Sequence, residues 1–400
     1  MSTFRLSKVA QQIQRSVTRD LITLASRPDF ISFAGGLPAA DYLPLEELRA
    51  CLDAVLTRDG ARALQYGPPY LPLREWIAAA MQRRGVACSV GEVFITNGAQ
   101  QALEILARLL LDPGQPAVLE ALTFTGILQV ARAHGALVRT AALNLETGVD
   151  PAAFEAALGA DGRPARLGVV IPDFHNPAGA SLTLEKRQRL AAAAARAGVP
   201  LVEDDPYSLL RYAGQTLPPI KAFDEAGCVL YIGSFSKIIA PAMRLGWIIA
   251  PAGLQPKLAV LRESLDLESS QLLQRLVTEF VSRGHLEPHL QALNAANHAR
   301  RDAMQAALQR ELGGLAAWTA PEGGIFLWVT LADGLNAAAL LTAAFDHKVA
   351  YIPGANFSVE GLGANTLRLN YSNNTPERIA EGVRRLGLVA RLGQHAAIGV

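Results

Sequence analysis

The sequence predicts an α/β protein built on a doubly wound, mostly parallel seven-stranded sheet, followed by a smaller α+β domain. Two observations carry the prediction. From about residue 92, short apolar runs at 92–96, 116–120, 137–141, 167–172, 199–203, 229–234 and 246–250 alternate with longer helix-periodic segments. Such alternation is the pattern of strands joined by right-handed helical crossovers in a buried parallel sheet. After Pro256 the chain turns helical for a long stretch, and glycine pairs at 313–314 and 323–324 then punctuate short strands in a mixed tail. A chain of 400 residues, half of them hydrophobic, is long enough to build two cores.

The remaining elements follow in order. Val9, Ile13, Val17, Leu21 and Leu24 recur at helical spacing, so an amphipathic helix is expected over residues 7–25, with Arg19 off its apolar stripe. Residues 30–44 are loop-like, with Gly35 and Gly36 able to bring backbone close to a ligand. Pro44 opens a helix that ends near Gly60. Three prolines surround Tyr70 in a further loop, and a helix over 73–84 precedes the sheet. In the later helical stretch, breaks are expected near Gly284 and Pro288. The tail reads as strands at 316–319 and 325–330, a helix, strands at 348–352 and 366–371, and a closing helix.

Composition excludes several functions. Lysine plus arginine number 37 against 36 acids, a net charge of +1, which gives no electrostatic case for nucleic acid or an anionic membrane. No stretch approaches the roughly 18 uninterrupted apolar residues of a membrane span. The first residues lack the pattern of a secretory signal. Cys51, Cys88 and Cys228 are far apart, odd in number and without metal-ligand spacing, as expected of buried thiols in a reducing cytoplasm.

The densest chemistry lies between Ser234 and Trp247. An apolar run, Val229 to Ile232, suits a buried strand, and Gly233 is expected to let the backbone turn sharply at its end. Ser234, Ser236 and Lys237 follow, with Arg244 seven residues further on, a set suited to holding a phosphate beside a reactive amine. No acidic residue occurs between Val229 and Arg262. Thr96-Asn97-Gly98-Ala99-Gln100 ends one strand and opens a helix, whose free amides and dipole suit a phosphate, although a polar glycine turn would read the same. Glu203-Asp204-Asp205-Pro206-Tyr207 ends another strand. These acids could be a solvated loop or a metal site, but a carboxylate followed three residues later by a phenol also suits a protonated pyridine ring. Asn176, before Pro177, sits where strand ends meet ligands, and no catalytic triad can be assembled around His175. Phe124 is core by default, with ring stacking as the alternative. Arg368 lies inside an apolar strand, so a structural acid or a substrate carboxylate must meet it.

Together these segments resemble the class I/II pyridoxal-phosphate aminotransferases of fold type I, most closely the subgroup of 2-aminoadipate and kynurenine aminotransferases. The resemblance covers nearly the whole chain. It implies that Lys237 holds pyridoxal 5'-phosphate covalently, that Asp204 pairs with the pyridine nitrogen, and that Tyr207 and Asn176 contact the ring's 3-oxygen. Ser234, Ser236, Arg244 and the amides at Gly98, Ala99 and Gln100 would hold the phosphate, and Phe124 would stack on the ring. Arg368 would clamp the substrate carboxylate, with Asn176 and Gly36 beside it and Arg19 recognising its side chain. Tyr66 would reach the phosphate of a neighbouring subunit, implying a homodimer with shared sites. The implied division is an amino-terminal segment, 1–45, a large cofactor-binding domain, 46–285, and a small domain, 286–400.

This chain departs from the family pattern in a shortened turn after Tyr66, in Ala99 where many relatives carry serine, and in Phe124 in place of a tyrosine. The implied reaction is a ping-pong transfer of an amino group from a 2-amino acid, 2-aminoadipate-like, aromatic or branched, to a 2-oxo acid such as 2-oxoglutarate. A lyase or decarboxylase on the same cofactor is the alternative. A cofactor-sensing effector domain of a regulator is disfavoured, because too few residues precede this region to hold a DNA-binding domain.

Overall fold

The computed structural model describes residues 29–398 together with residues 5, 7, 10, 11 and 27. Arg19 and most of the helix expected over 7–25 lie outside the described residues.

A short strand, β1 (Ile31–Ser32), comes first, inside a stretch expected to be loop throughout. Helices α1 (Leu45–Asp59) and α2 (Leu71–Arg83) follow. The main sheet then starts with β2 (Val93–Thr96), α3 (Ala99–Leu110), β3 (Pro116–Glu120), α4 (Thr125–Ala133) and β4 (Leu137–Ala141). A two-stranded excursion, β5 (Leu143–Asn144) and β6 (Gly148–Val149), leads into α5 (Pro151–Leu158). The sheet resumes with β7 (Leu167–Val170), α6 (Leu184–Ala197), β8 (Leu201–Asp205), β9 (Val229–Ser234) and β10 (Gly246–Ile249).

The seven strands lie in the order β2-β10-β9-β8-β7-β3-β4. Their buried apolar runs have helices available to cover both faces, as a parallel sheet requires. All are parallel except β10, which runs antiparallel to both β2 and β9, with Gly246 opposite Thr96 and Ser234. This reversal positions the site. The carboxyl ends of β3, β7, β8 and β9 share one edge of the sheet, where ligands of open α/β folds collect. Because β10 begins at that edge, the chain just before it returns there and places Arg244 beside Ser234.

Two strand boundaries differ from expectation and change the chemistry. β8 continues through Asp205, so Glu203, Asp204 and Asp205 are all buried strand residues, which rules out the solvated-loop reading. Gly233 lies within β9, paired with Asp205 and Trp247, and makes no turn. A side chain there would overlap the Trp247 ring, so the glycine serves close packing.

Helices α7 (Gln255–Asp266), α8 (Gln271–Ser282) and α9 (Leu286–Leu312) follow. The expected break near Gly284 is present, whereas Pro288 sits in the first turn of α9, where its missing N–H costs nothing. A second, antiparallel sheet comprises β11 (Ala316–Trp318), β12 (Phe326–Leu331), β14 (Ile352–Pro353) and β15 (Thr366–Asn370), in the order β11-β12-β15-β14. Between them come α10 (Leu341–Asp346) and β13 (Val349–Ala350), and α11 (Pro376–Ile398) closes the chain against α9. β13 pairs with β1, in parallel. Ile31 and Phe33 belong to the second core, with α9, α11 and the second sheet, and Gly382 of α11 leaves room for both side chains.

Candidate active site

A cavity of about 310 Å³ opens between the carboxyl edge of the main sheet and the second sheet. At one end, Gly98 caps α3 with φ +83, a conformation that favours glycine. A Cβ there would also stand 2.8 Å from Arg244 Nη2. Arg244 is itself left-handed, with φ +46, and Nη2 donates to Asn97 O at 2.9 Å. The Ser236 amide donates to Ser234 Oγ at 3.1 Å, so the two serines share one tight bend. Ala99 and Gln100 start α3 at the cavity wall, and Gln100 Nε2 reaches Gly126 O at 3.3 Å. The cluster brings a helix N-terminus, two hydroxyls and a guanidinium together, groups of the kind that bind anions.

This end is braced by residues that sequence reasoning missed. Asp266 Oδ2 accepts from Asn97 Nδ2 and from Gln101 Nε2, each at 2.6 Å, and Asp266 also pairs with Arg262. Arg262 Nη1 in turn donates to Ile95 O at 3.1 Å. Asp266 lies 169 residues from Asn97, and no local pattern could have joined them.

Lys237 stands at the centre of the cavity wall, its Nζ donating to Gly36 O at 2.6 Å. Burial, then the charges of Arg368 and Arg244, lower its pKa to about 8. Across the cavity, Asp204 is buried, and among the described residues its Oδ1 has no hydrogen-bond partner. Burial, followed by the charges of Asp205 and Glu120, pushes its carboxyl up to about 7. Tyr207 is raised by burial and hydrogen-bonded to the Asn176 side chain. Its ring meets Phe326 edge-on at 5.9 Å.

The second sheet contributes Arg368, from the middle of β15. Its Nη1 donates to Asn176 Oδ1 at 2.8 Å and its Nη2 to Ala34 O at 2.6 Å. The guanidinium lies over Phe326 at 4.1 Å and Phe357 at 4.7 Å, two rings the sequence reading did not single out. Nε is without a partner, and no ion pair joins Arg368 to a carboxylate among the described residues. Burial lowers its pKa to about 9. A desolvated guanidinium of this kind is a receptor for an anion.

Phe124 and Gly36 also line the cavity. Of the expected site residues, Tyr66 stands apart, 76% exposed on the outer surface. Glu120 and His175 are fully buried and face each other, with Glu120 Oε2 at 3.1 Å from His175 Nε2. Glu120 Oε2 also accepts from the Ile171 amide at 2.9 Å, which ties the end of β3 to the chain leading into the Asn176 loop.

The family model for aminotransferase class I and II matches residues 36–386. The chain is 36% identical to aromatic-amino-acid aminotransferase 1 of Thermococcus litoralis over 386 residues, covering 95% of this chain and 92% of that protein. It is 39% identical to 2-aminoadipate transaminase of Thermus thermophilus over 386 residues, 95% of each. The crystal structure of Pyrococcus horikoshii kynurenine aminotransferase in complex with PMP, KYN and KYA superposes with a TM-score of 0.92 and 35% identity, covering 97% of both chains. The chain therefore belongs to the class I and II aminotransferases and is a pyridoxal-phosphate-dependent transaminase of fold type I.

Proposed function

We propose that this transaminase acts on aromatic and 2-aminoadipate-like amino acids, with a 2-oxo acid such as 2-oxoglutarate as acceptor, through the residues that converge on Lys237. The carrying observation is the unpartnered, buried Oδ1 of Asp204 in the cavity that also holds the Lys237 amine. A buried carboxyl without a donor fits the protonated nitrogen of the cofactor's ring, and the anion site at Gly98, Ser234, Ser236 and Arg244 fits its phosphate. The substrate assignment draws on the names of the relatives.

When bound, pyridoxal phosphate supplies an electron-withdrawing ring that stabilises negative charge at the amino acid's Cα. Asp204 would keep the proton on the ring nitrogen, where an ionised carboxylate is worth about 1.4 kcal/mol per pKa unit. Tyr207 and Asn176 would hold the 3-oxygen, and Phe124 would cover one ring face. Arg368 would hold the α-carboxylate through a bidentate pair of N–H groups, and so fix which Cα bond faces Lys237. Lys237, as the free amine, would accept the Cα proton and carry it to the acceptor carbon of the cofactor. A pKa of about 8 leaves a useful fraction of that amine unprotonated near neutrality.

The proposal includes a homodimer. Exposed Leu64, Tyr66 and Leu267, with Leu71 at the start of α2, lie about two segments joined by Gly67 N to Glu268 and Gln271 Nε2 to Gly67 O. Leu267 has φ +66, an unfavourable conformation for an exposed leucine without a partner. In the dimer, Tyr66 would reach the phosphate site of the partner subunit. A cytoplasmic location is part of the proposal, supported by three unpaired cysteines. The division into a large domain over 46–285 and a small one over 286–400 is supported by the separate second core, which takes up α9 from Met304 onward, while Leu286 and Leu293 pack in the first.

An amino-donor screen against 2-oxoglutarate tests the substrate class, and a best donor with a small aliphatic side chain would refute it. Lys237→Ala is expected to abolish both turnover and the visible absorption of the bound cofactor. Retention of either would remove Lys237 from its assigned role.

A further inference from the structure

The three acids of β8 alternate in direction, as strand residues must. Asp204 faces the cavity, so its two neighbours face away from it. Asp205 is 5% exposed, and its carboxylate is among the most heavily hydrogen-bonded in the molecule. Oδ2 accepts from Arg84 Nη2 at 2.8 Å, Tyr231 Oη at 2.8 Å and Ser208 Oγ at 2.7 Å, while Oδ1 accepts from the Ser208 amide at 2.9 Å. Arg84 closes the set, donating from Nη1 to Tyr231 Oη at 2.6 Å and from Nη2 to Ser208 Oγ at 2.9 Å.

These donors come from the end of α2, from β9 and from the turn after β8. Tyr207 lies inside that turn, between Asp205 and Ser208. Tyr231 lies on the strand that ends in Ser234, three residues before Lys237. The cluster therefore ties the strand carrying Asp204 and Tyr207 to the strand carrying Lys237, without touching the cavity.

We propose that the Arg84–Asp205 ion pair is an electrostatic positioning device behind Asp204, in which the fixed charge of Asp205 strengthens the negative potential at the cofactor's ring nitrogen and Arg84 limits it. The proposal rests on the reading of Asp204 as the partner of that nitrogen. Burial pushes the Asp205 carboxyl up, but the Arg84 guanidinium and the hydrogen bonds more than offset this and hold it below the usual carboxylate range. It thus stays charged at neutral pH. The charges acting on Asp204 are Asp205 beside it and Glu120 from β3. Asp205 itself is faced by Arg84 from α2, by Tyr231 from β9 and by Glu203 along its own strand.

The test is the pH titration of the visible absorption of the loaded protein, which follows the proton on the nitrogen that Lys237 shares with the cofactor, together with the cofactor Kd of the cofactor-free protein. Asp205→Asn removes negative charge and is expected to move the midpoint down by about half a unit or more, with weaker cofactor binding. Arg84→Met leaves Asp205 uncompensated and is expected to move it up by a similar amount. The double variant should return close to the wild-type midpoint. Ser208→Ala removes two hydrogen bonds but no charge, and should leave the midpoint in place.

Loosened structure would move both single variants in one direction, and that result overturns the proposal. So does an unmoved midpoint in both, when Asp204→Asn moves it by more than a unit. An Asp204→Asn variant with unchanged midpoint and unchanged cofactor Kd overturns the placement of Asp204, and the proposal with it. Where Asp205→Asn does not fold, Arg84→Met against the charge-preserving Arg84→Lys carries the same comparison, the first shifted and the second not.

Discussion

The depressed pKa of Lys237 predicts how fast the cofactor-free protein captures pyridoxal phosphate as pH is varied. Only the neutral amine attacks the aldehyde. With a pKa of about 8, roughly one amine in ten is neutral at about pH 7. A lysine at its ordinary value would offer roughly one in three thousand, about 300-fold fewer. The capture rate, followed as growth of visible absorption after mixing, should rise about tenfold between about pH 7 and 9 and then level off. Burial is the largest cause of the shift, with Arg368 and Arg244 behind it. Arg368→Gln should therefore move the midpoint up by less than about one unit, and most of the depression should survive. A capture rate that still climbs about tenfold per unit beyond about pH 9 would show an ordinary lysine and refute the reasoning. A midpoint that returns to the ordinary value in Arg368→Gln would show that charge, not burial, sets it.

Other outcomes follow from the same geometry. Arg368→Lys keeps the charge but loses the planar fork, and kcat/KM for the amino donor should fall about 10²–10³-fold, mostly through KM, in steady-state assays. Gly98→Ala forces an L-residue to φ +83 beside Arg244 and should weaken cofactor binding at a cost of about 1–3 kcal/mol, read by absorbance titration of the cofactor-free protein. Asp204 and Glu203 both hold their protons up to about pH 7 in the folded protein, far above ordinary carboxylate values. The folded state thus binds more protons than the unfolded chain between about pH 4 and 7, so stability falls as pH rises through that window, by up to about 4 kcal/mol per group. Thermal melting of the cofactor-free protein should show this fall. The loaded protein should lose less of its stability, because a cation then meets Asp204 but not Glu203.

Much of the site was legible because its residues sit at strand ends, where a short motif and its position coincide. Lys237, Asp204, Asn176 and Phe124 were singled out in this way, and they meet in one cavity. Arg368 was found by a different argument, that an arginine in an apolar strand needs an anion. The missed features are long-range. Arg84 joins Asp205 across 121 residues, and nothing near Arg84 distinguishes it from a surface arginine at a helix end. The reversed direction of β10 was invisible because a short apolar run shows burial but carries no polarity along the sheet. Gly233 was misread for a related reason. A glycine at the end of an apolar run suggests a turn, and only the partner strand shows that Trp247 fills the space above it.

The pairing of β1 with β13 has a consequence for how ligands arrive. The segment from Ser32 to Leu37 is held by Asn374 Nδ2 to Ser32 O at 2.9 Å, the Asn370 amide to Phe33 O at 2.9 Å and Ser372 Oγ to Leu37 O at 2.6 Å. Between these anchors, the carbonyls of Ala34 and Gly36 receive Arg368 and Lys237. An incoming carboxylate thus meets guanidinium donors already engaged by a tethered stretch of main chain, at an effective concentration set by the fold and independent of dilution. Binding becomes an exchange of acceptors. The affinity for any small anion is then measured against the local backbone as competitor, so changes that loosen residues 32–37 should tighten ligand binding even where they touch no ligand.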